Sequence, residues 1–160
     1  MDKETVDIEN GRLDLVEAEF INIRQSTVRS LDGGHVEMHQ VGAISIDGER
    51  VEVTQGAAVV MKGENLTLNQ SMGVLAAGAN LDLNYSLSSV SLASGNIDVD
   101  KSIVGFMAAK EISSSNSTAL VMIGRNINGN VTTLLDWKSA LALGAMAGGV
   151  FGLFSLFKNR

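Results

Sequence analysis

Residues 61–84 read MKGENLTLNQSMGVLAAGANLDLN, and one phrase occurs in them twice. Gly63-Glu64-Asn65-Leu66-Thr67-Leu68 returns 15 residues later as Gly78-Ala79-Asn80-Leu81-Asp82-Leu83. Working outward, the apolar-x-apolar triplet persists in both directions. Its first members are Val6, Ile21, Val36, Val51, Leu66 and Leu81, each 15 residues apart. After one extra residue the series resumes at Ile97, Ile112 and Ile127. Alternation over so few residues marks short strands with one buried face. A fixed period carried over eight repeats marks a solenoid, because a coil this small cannot bury its own apolar face and must stack on its neighbours.

Other columns share the period. Gly48, Gly63 and Gly78, then Ser94, Ala109 and Gly124, form one column, and the position two later reads Arg50, Asn65, Asn80, Asn96, Glu111 and Asn126. Gly followed by Asn suits a corner with unusual dihedrals, and stacked Asn side chains can bond along the axis. A second apolar pair, Ile44 with Ile46, Val59 with Met61 and Val74 with Ala76, is read as inward. So is a column of Ala57, Met72, Leu87 and Ile103. The extra residue is placed near Ser88 or Ser89, as a bulge at a corner or strand end. The first two coils look less regular than the rest. The fold class expected is all-β: a single-chain parallel β-helix of about 15 residues per coil over residues 1–136, with a C-terminal hydrophobic helix.

That helix is read from residues 139–157, SALALGAMAGGVFGLFSLF, 19 residues without a charge between Lys138 and Lys158. As a helix it would be about 28 Å long, close to a bilayer core of about 30 Å. Trp137 sits where an interfacial aromatic belongs. Gly144, Gly148, Gly149 and Gly152 offer a close-packing face to another helix. Residues 137–160 are therefore expected to form a single-pass anchor with a short basic tail. The start, MDKETVDIENGRLD, has no apolar stretch of a secretory signal, which places the solenoid on the cytoplasmic side. Lys158 and Arg160 beyond the span argue the other way.

Composition narrows the chemistry. There is no cysteine, so neither a disulfide nor a thiolate site is open to the chain. Net charge is -6 and no basic stripe exists, so nucleic acid is not an expected partner. His35 and His39 read as two isolated surface histidines. Asp82, Asn84, Asp98 and Asp100 read as a solvated acidic face. The run Ser113, Ser114, Ser115, Ser117 and Thr118 reads as loop and strand surface, with no histidine in register to activate a hydroxyl. Gln40, Gln55 and Gln70 form a polar column, and Tyr85 is the only tyrosine. No catalytic, metal or cofactor site is expected.

The architecture resembles that of bactofilins, polymer-forming bacterial β-helix proteins that associate with membranes. Their coils look longer and their membrane-targeting segment is usually N-terminal, so no residue role transfers. The leading expectation is a membrane-anchored scaffold or accessory subunit that contacts the bilayer and other proteins as a homo-oligomer or in a larger complex. The alternatives are a bactofilin-like cytoskeletal polymer, and a carbohydrate-binding or enzymatic solenoid. Association through the tail or laterally is favoured over an axial polymer, because MDKET and the Leu134, Leu135 and Trp137 group look like caps.

Overall fold

A computed structural model describes residues 5–133, and these form an all-β parallel solenoid. The strands are β1 (Thr5–Glu9), β2 (Arg12–Arg24), β3 (Thr27–His39), β4 (Gly42–Thr54), β5 (Ala57–Asn69), β6 (Met72–Asn84), β7 (Leu87–Asp100) and β8 (Ile103–Thr133). Each pairs in parallel with the next, in chain order. From β1 to β6 every residue lies over the one 15 positions on, as in Val51↔Leu66 and Leu66↔Leu81. The first coils obey the register as strictly as the later ones: Val16 lies under Leu31 and Ile21 under Val36. The expected C-terminal helix lies outside the described residues.

One residue per coil closes the turn. Asn10, Gln25, Gln40, Gln55, Gln70, Tyr85, Lys101 and Asn116 all have φ between 46° and 56°. Seven complete turns lie between the first and last of these corners. The left-handed conformation was expected at the Gly-Asn position, but Gly48, Gly63 and Gly78 are not in it. Those glycines serve close approach instead. A Cβ on Gly48 would sit 2.7 Å from the Gly33 carbonyl oxygen, and one on Gly78 2.5 Å from that of Gly63. Backbone stacks on backbone there, leaving no room for a side chain.

The core is a set of stacked columns. Ile21, Val36, Val51, Leu66, Leu81, Ile97 and Ile112 form one, and Ile23, Met38, Val53, Leu68, Leu83 and Val99 another. All are 2% exposed or less, so each contributes roughly 1.5–3 kcal/mol of apolar burial. A third column holds Val16, Leu31, Ile46, Met61, Ala76, Ser91 and Met107. Packing compensates across columns: the Met61 methyl fills the space that a Cβ on Gly73 would occupy.

Three expectations need correction. The extra residue is not at Ser88 or Ser89, since Leu75↔Val90 and Gly78↔Ala93 still keep the 15-residue step. The step becomes 16 at Asn80↔Asn96, so the insertion lies at Ser94 and Gly95. A corner accommodates it because no strand alternation is running there to be inverted. Of the second apolar pair, Ile46, Met61 and Ala76 do point inward, but Ile44, Val59 and Val74 point out. The column of Ala57, Met72, Leu87 and Ile103 also faces out, and its neighbours Ala58, Ser88 and Val104 fill the interior.

The glycine column gives a direct test by thermal denaturation. Gly63→Ala drives a methyl into the Gly48 carbonyl oxygen and should lose about 1–3 kcal/mol of stability, the usual cost of overpacking. Gly42→Ala meets nothing within 4 Å and should be neutral or gain a few tenths of a kcal/mol.

Candidate interaction surfaces

The outside of the rod is organised by the same register. Along the left-handed corner the glutamine amides form a ladder. Gln25 donates to Gln40 at 3.2 Å, Gln40 to Gln55 at 3.3 Å and Gln55 to Gln70 at 3.2 Å. Tyr85 and Lys101 continue the column, with the ammonium donating to the phenol oxygen at 2.7 Å and lying 4.9 Å from the ring centre. This hydrogen bond, then the nearby Tyr85 and Asp100 charges, raises the Lys101 pKa above its ordinary value. The expected asparagine ladder is present in part: Asn80 donates to Asn65 at 3.0 Å, and Asn96 lies in register over Asn80. A further rung joins Asn84 to Asn69 at 3.3 Å. Gly124 and Asn126 extend these columns into the last described coil, and Gly124 packs against Ile112 and Ile127.

One residue past each corner runs a column that sequence reasoning missed. Ser26, Ser71, Ser86, Ser102 and Ser117 are buried there. The Ser86 hydroxyl donates to the carbonyls of Asn84 at 2.8 Å and Leu68 at 3.0 Å, while accepting from the Ser71 amide at 3.2 Å. Ser102 does the same one coil on, bonding the carbonyls of Asp100 and Leu83 and accepting from the Ser86 amide at 2.9 Å. Each hydroxyl thus stitches the corner of its own coil to its neighbour. The repeated Ser just after the Gln, Tyr or Lys column was the available signal. It reads as surface polarity until the corner is located.

The candidate chemical groups do not converge. His35 is more than a surface residue: its Nε2 lies 3.0 Å from Glu37 and its ring stacks on Phe20 at 5.9 Å. His39 is exposed on the corner strand. Ser114 and Ser117 turn inward, contrary to the surface reading of that serine run. Ser114 stands in an otherwise aliphatic column, and its hydroxyl finds no protein partner. Asp82 and Asp98 are stacked neighbours. Partial burial, then repulsion from Asp98, raises the Asp82 pKa against a 2.9 Å hydrogen bond from Asn84. Among the described residues no group of acidic or histidine side chains has the geometry to hold a metal ion. No helix among them is long and apolar enough to cross a membrane. Trp137, Gly144, Gly148, Gly149 and Gly152 lie outside the described residues.

One long face of the described coils is apolar. The two outward columns of the strand that follows the left-handed corner carry Ile44, Val59 and Val74 on one side and Met72, Leu87 and Ile103 on the other. These side chains are 41–58% exposed. All but Ile103 line a shallow groove that runs along the stack and ends at Arg12, Asp14 and Arg29. A contiguous apolar strip of this length marks a contact surface.

Two measurements check this reading of the polar groups. Ser86→Ala removes a hydroxyl whose single proton is shared between two carbonyls and which accepts from the Ser71 amide, and should cost about 1–2 kcal/mol, whereas Ser114→Ala removes an unpartnered buried hydroxyl and should leave stability unchanged or raised. Asp82→Asn should raise the melting temperature at neutral pH. A carboxyl whose folded pKa is raised favours the fold when protonated, and that contribution is lost as pH rises through the folded pKa. The gain from Asp82→Asn should therefore vanish as pH falls below the ordinary carboxylate range. Comparison with protein-family models, with curated proteins and with solved structures finds no match for this chain.

Proposed function

We propose that this chain is a structural solenoid that works by protein–protein contact and assembles end on end into a polymer. The observation that carries the reading is the state of the two ends. Ile127 continues a column whose earlier members Ile97 and Ile112 are buried, yet it is 48% exposed. At the other end β1 covers only residues 20–24 of β2, so residues 12–18 have a strand on one side only among the described residues. Among the described residues the first coil leaves part of its ladder edge unpaired and the last leaves a core-column side chain uncovered, and the two ends of a parallel stack are complementary by construction: each offers what the next coil would pair with. The stacked Gln and Asn amides extend the same logic, since a ladder gains from every added rung.

The membrane belongs to this proposal through residues 139–157, whose uncharged length matches a bilayer span. A second reading, a membrane-anchored accessory subunit in a larger complex, rests on that segment alone.

Electron microscopy of the full chain extracted in detergent tests the polymer. Filaments with an axial repeat near 40 Å are expected, from about eight coils at roughly 4.8 Å each. Ile127→Lys should shorten or abolish them while the circular dichroism of the β-stack is retained. Monomers at all concentrations in sedimentation would refute the polymer and leave the accessory subunit.

A further inference from the structure

We infer that the apolar strip is a lateral interface for a second copy of this chain, with the two rods side by side, parallel, and related by a two-fold axis along the stack. The inference rests on how large and small residues alternate between the two outward columns. Where one column carries a large aliphatic, the other carries a small residue in the same coil. Ile44 is matched by Gly42, and Val59 by Ala57. The pattern then crosses over: Leu87 is matched by Ser89, and Ile103 by Gly105. Only the crossing coil has two large members, Met72 and Val74, and methionine is the most adaptable of the apolar side chains.

A 180° rotation about an axis parallel to the stack exchanges the two columns when the faces meet. Ile44, Val59, Leu87 and Ile103 of one copy then stand opposite the Gly, Ala or Ser of their own coil in the other, and Val74 opposite Met72. Ridge enters groove over four coils, which is the condition for close sheet-on-sheet packing. The end of the strip supplies the direction. In the same rotation Asp14 of one copy faces Arg12 of the other, giving two opposite-charge pairs across the axis. An antiparallel arrangement centred on Met72 and Val74 also sets large against small. However, it gives no opposite-charge pair across the axis among the described residues, because Arg29, which pairs with Asp14 of its own chain at 3.6 Å, then faces the aliphatic Leu120. Charge complementarity therefore selects the parallel pair.

The strip covers about five coils by roughly 10 Å, which is small for a stable dimer. Its strength rests on the polymer reading, because two filaments side by side repeat the contact at every copy.

The chain has no cysteine, so introduced thiols report cleanly. Leu87→Cys and Ser89→Cys proteins, full-length and carrying different affinity tags, are mixed and treated with a bis-maleimide spanning about 10 Å, the separation of packed sheets. A cross-linked heterodimer is expected, and Val74→Lys in both partners should abolish it without altering circular dichroism, since Val74 is 52% exposed. Cross-linking of Ala57→Cys with Leu87→Cys instead would show the antiparallel pair and overturn the inference. So would a Leu87–Ser89 yield no higher than that of Glu37→Cys with Glu52→Cys on a polar face. Protection of the strip thiols by lipid vesicles, with no cross-linked heterodimer, would assign the face to a membrane and overturn it equally. Single-stranded filaments without the cross-link would sink the lateral pair and leave the polymer standing. Cross-links without filaments would do the reverse.

Discussion

Each turn of this solenoid closes on an L-residue held in the left-handed backbone region. The conformation costs roughly 1–2 kcal/mol for a residue with a Cβ, and it recurs at eight corners, none of them glycine. The structure keeps it because the corner is held from three sides. The amide of each corner residue donates to a carbonyl one coil on, as Gln55 does to Asn69 and Gln70 to Asn84. From Gln25 to Gln70, and again between Tyr85 and Lys101, the corner side chains bond their stacked neighbours, and at most coils the following serine ties neighbouring backbones together. With the corner in place, the coil length is set, and parallel pairing puts every residue over its equivalent.

From that constraint come the faces. A column inherits one environment along the whole rod, so one kind of residue suits it throughout. Amides accumulate where they ladder, glycines where backbones nearly touch, and aliphatics where water is excluded. The strip of Ile44, Val59, Val74, Met72, Leu87 and Ile103 is open to water and nonetheless apolar over successive coils. The simplest physical account is that water is not its partner in the assembled state.

The period and the two main core columns were legible because Val6, Ile21, Val36 and their successors are large, aliphatic and strictly spaced. Three things were not. Glycine was assigned to the corner because a turn and a close backbone approach both select it, and spacing alone does not separate the two demands. The serine column was hidden because a buried hydroxyl and a surface hydroxyl look the same until the backbone around them is known. The strip was read as core because its residues are larger than those that do point inward. Beside a sharp corner the interior narrows, so Ala43, Ala58, Gly73 and Ser88 fill it, and the bulky aliphatics of the same strand fall outside. Hydrophobicity thus ran opposite to burial there. With the tail outside the described residues, the anchor rests on its 19 uncharged residues alone.

The insertion at Ser94 and Gly95 behaves like a point defect in a crystal. Below it Gly78 stacks on Ala93, above it Asn80 stacks on Asn96, and by Ile97 the lattice is whole again. No phase error propagates, because the added length is taken up where the chain is already changing direction. Such a stack tolerates growth in coil length at that vertex and forbids it along the faces. Sequence drift in a rod of this kind would therefore collect as protrusions along a single line, a longitudinal seam on which new loops can be tried without disturbing the shaft.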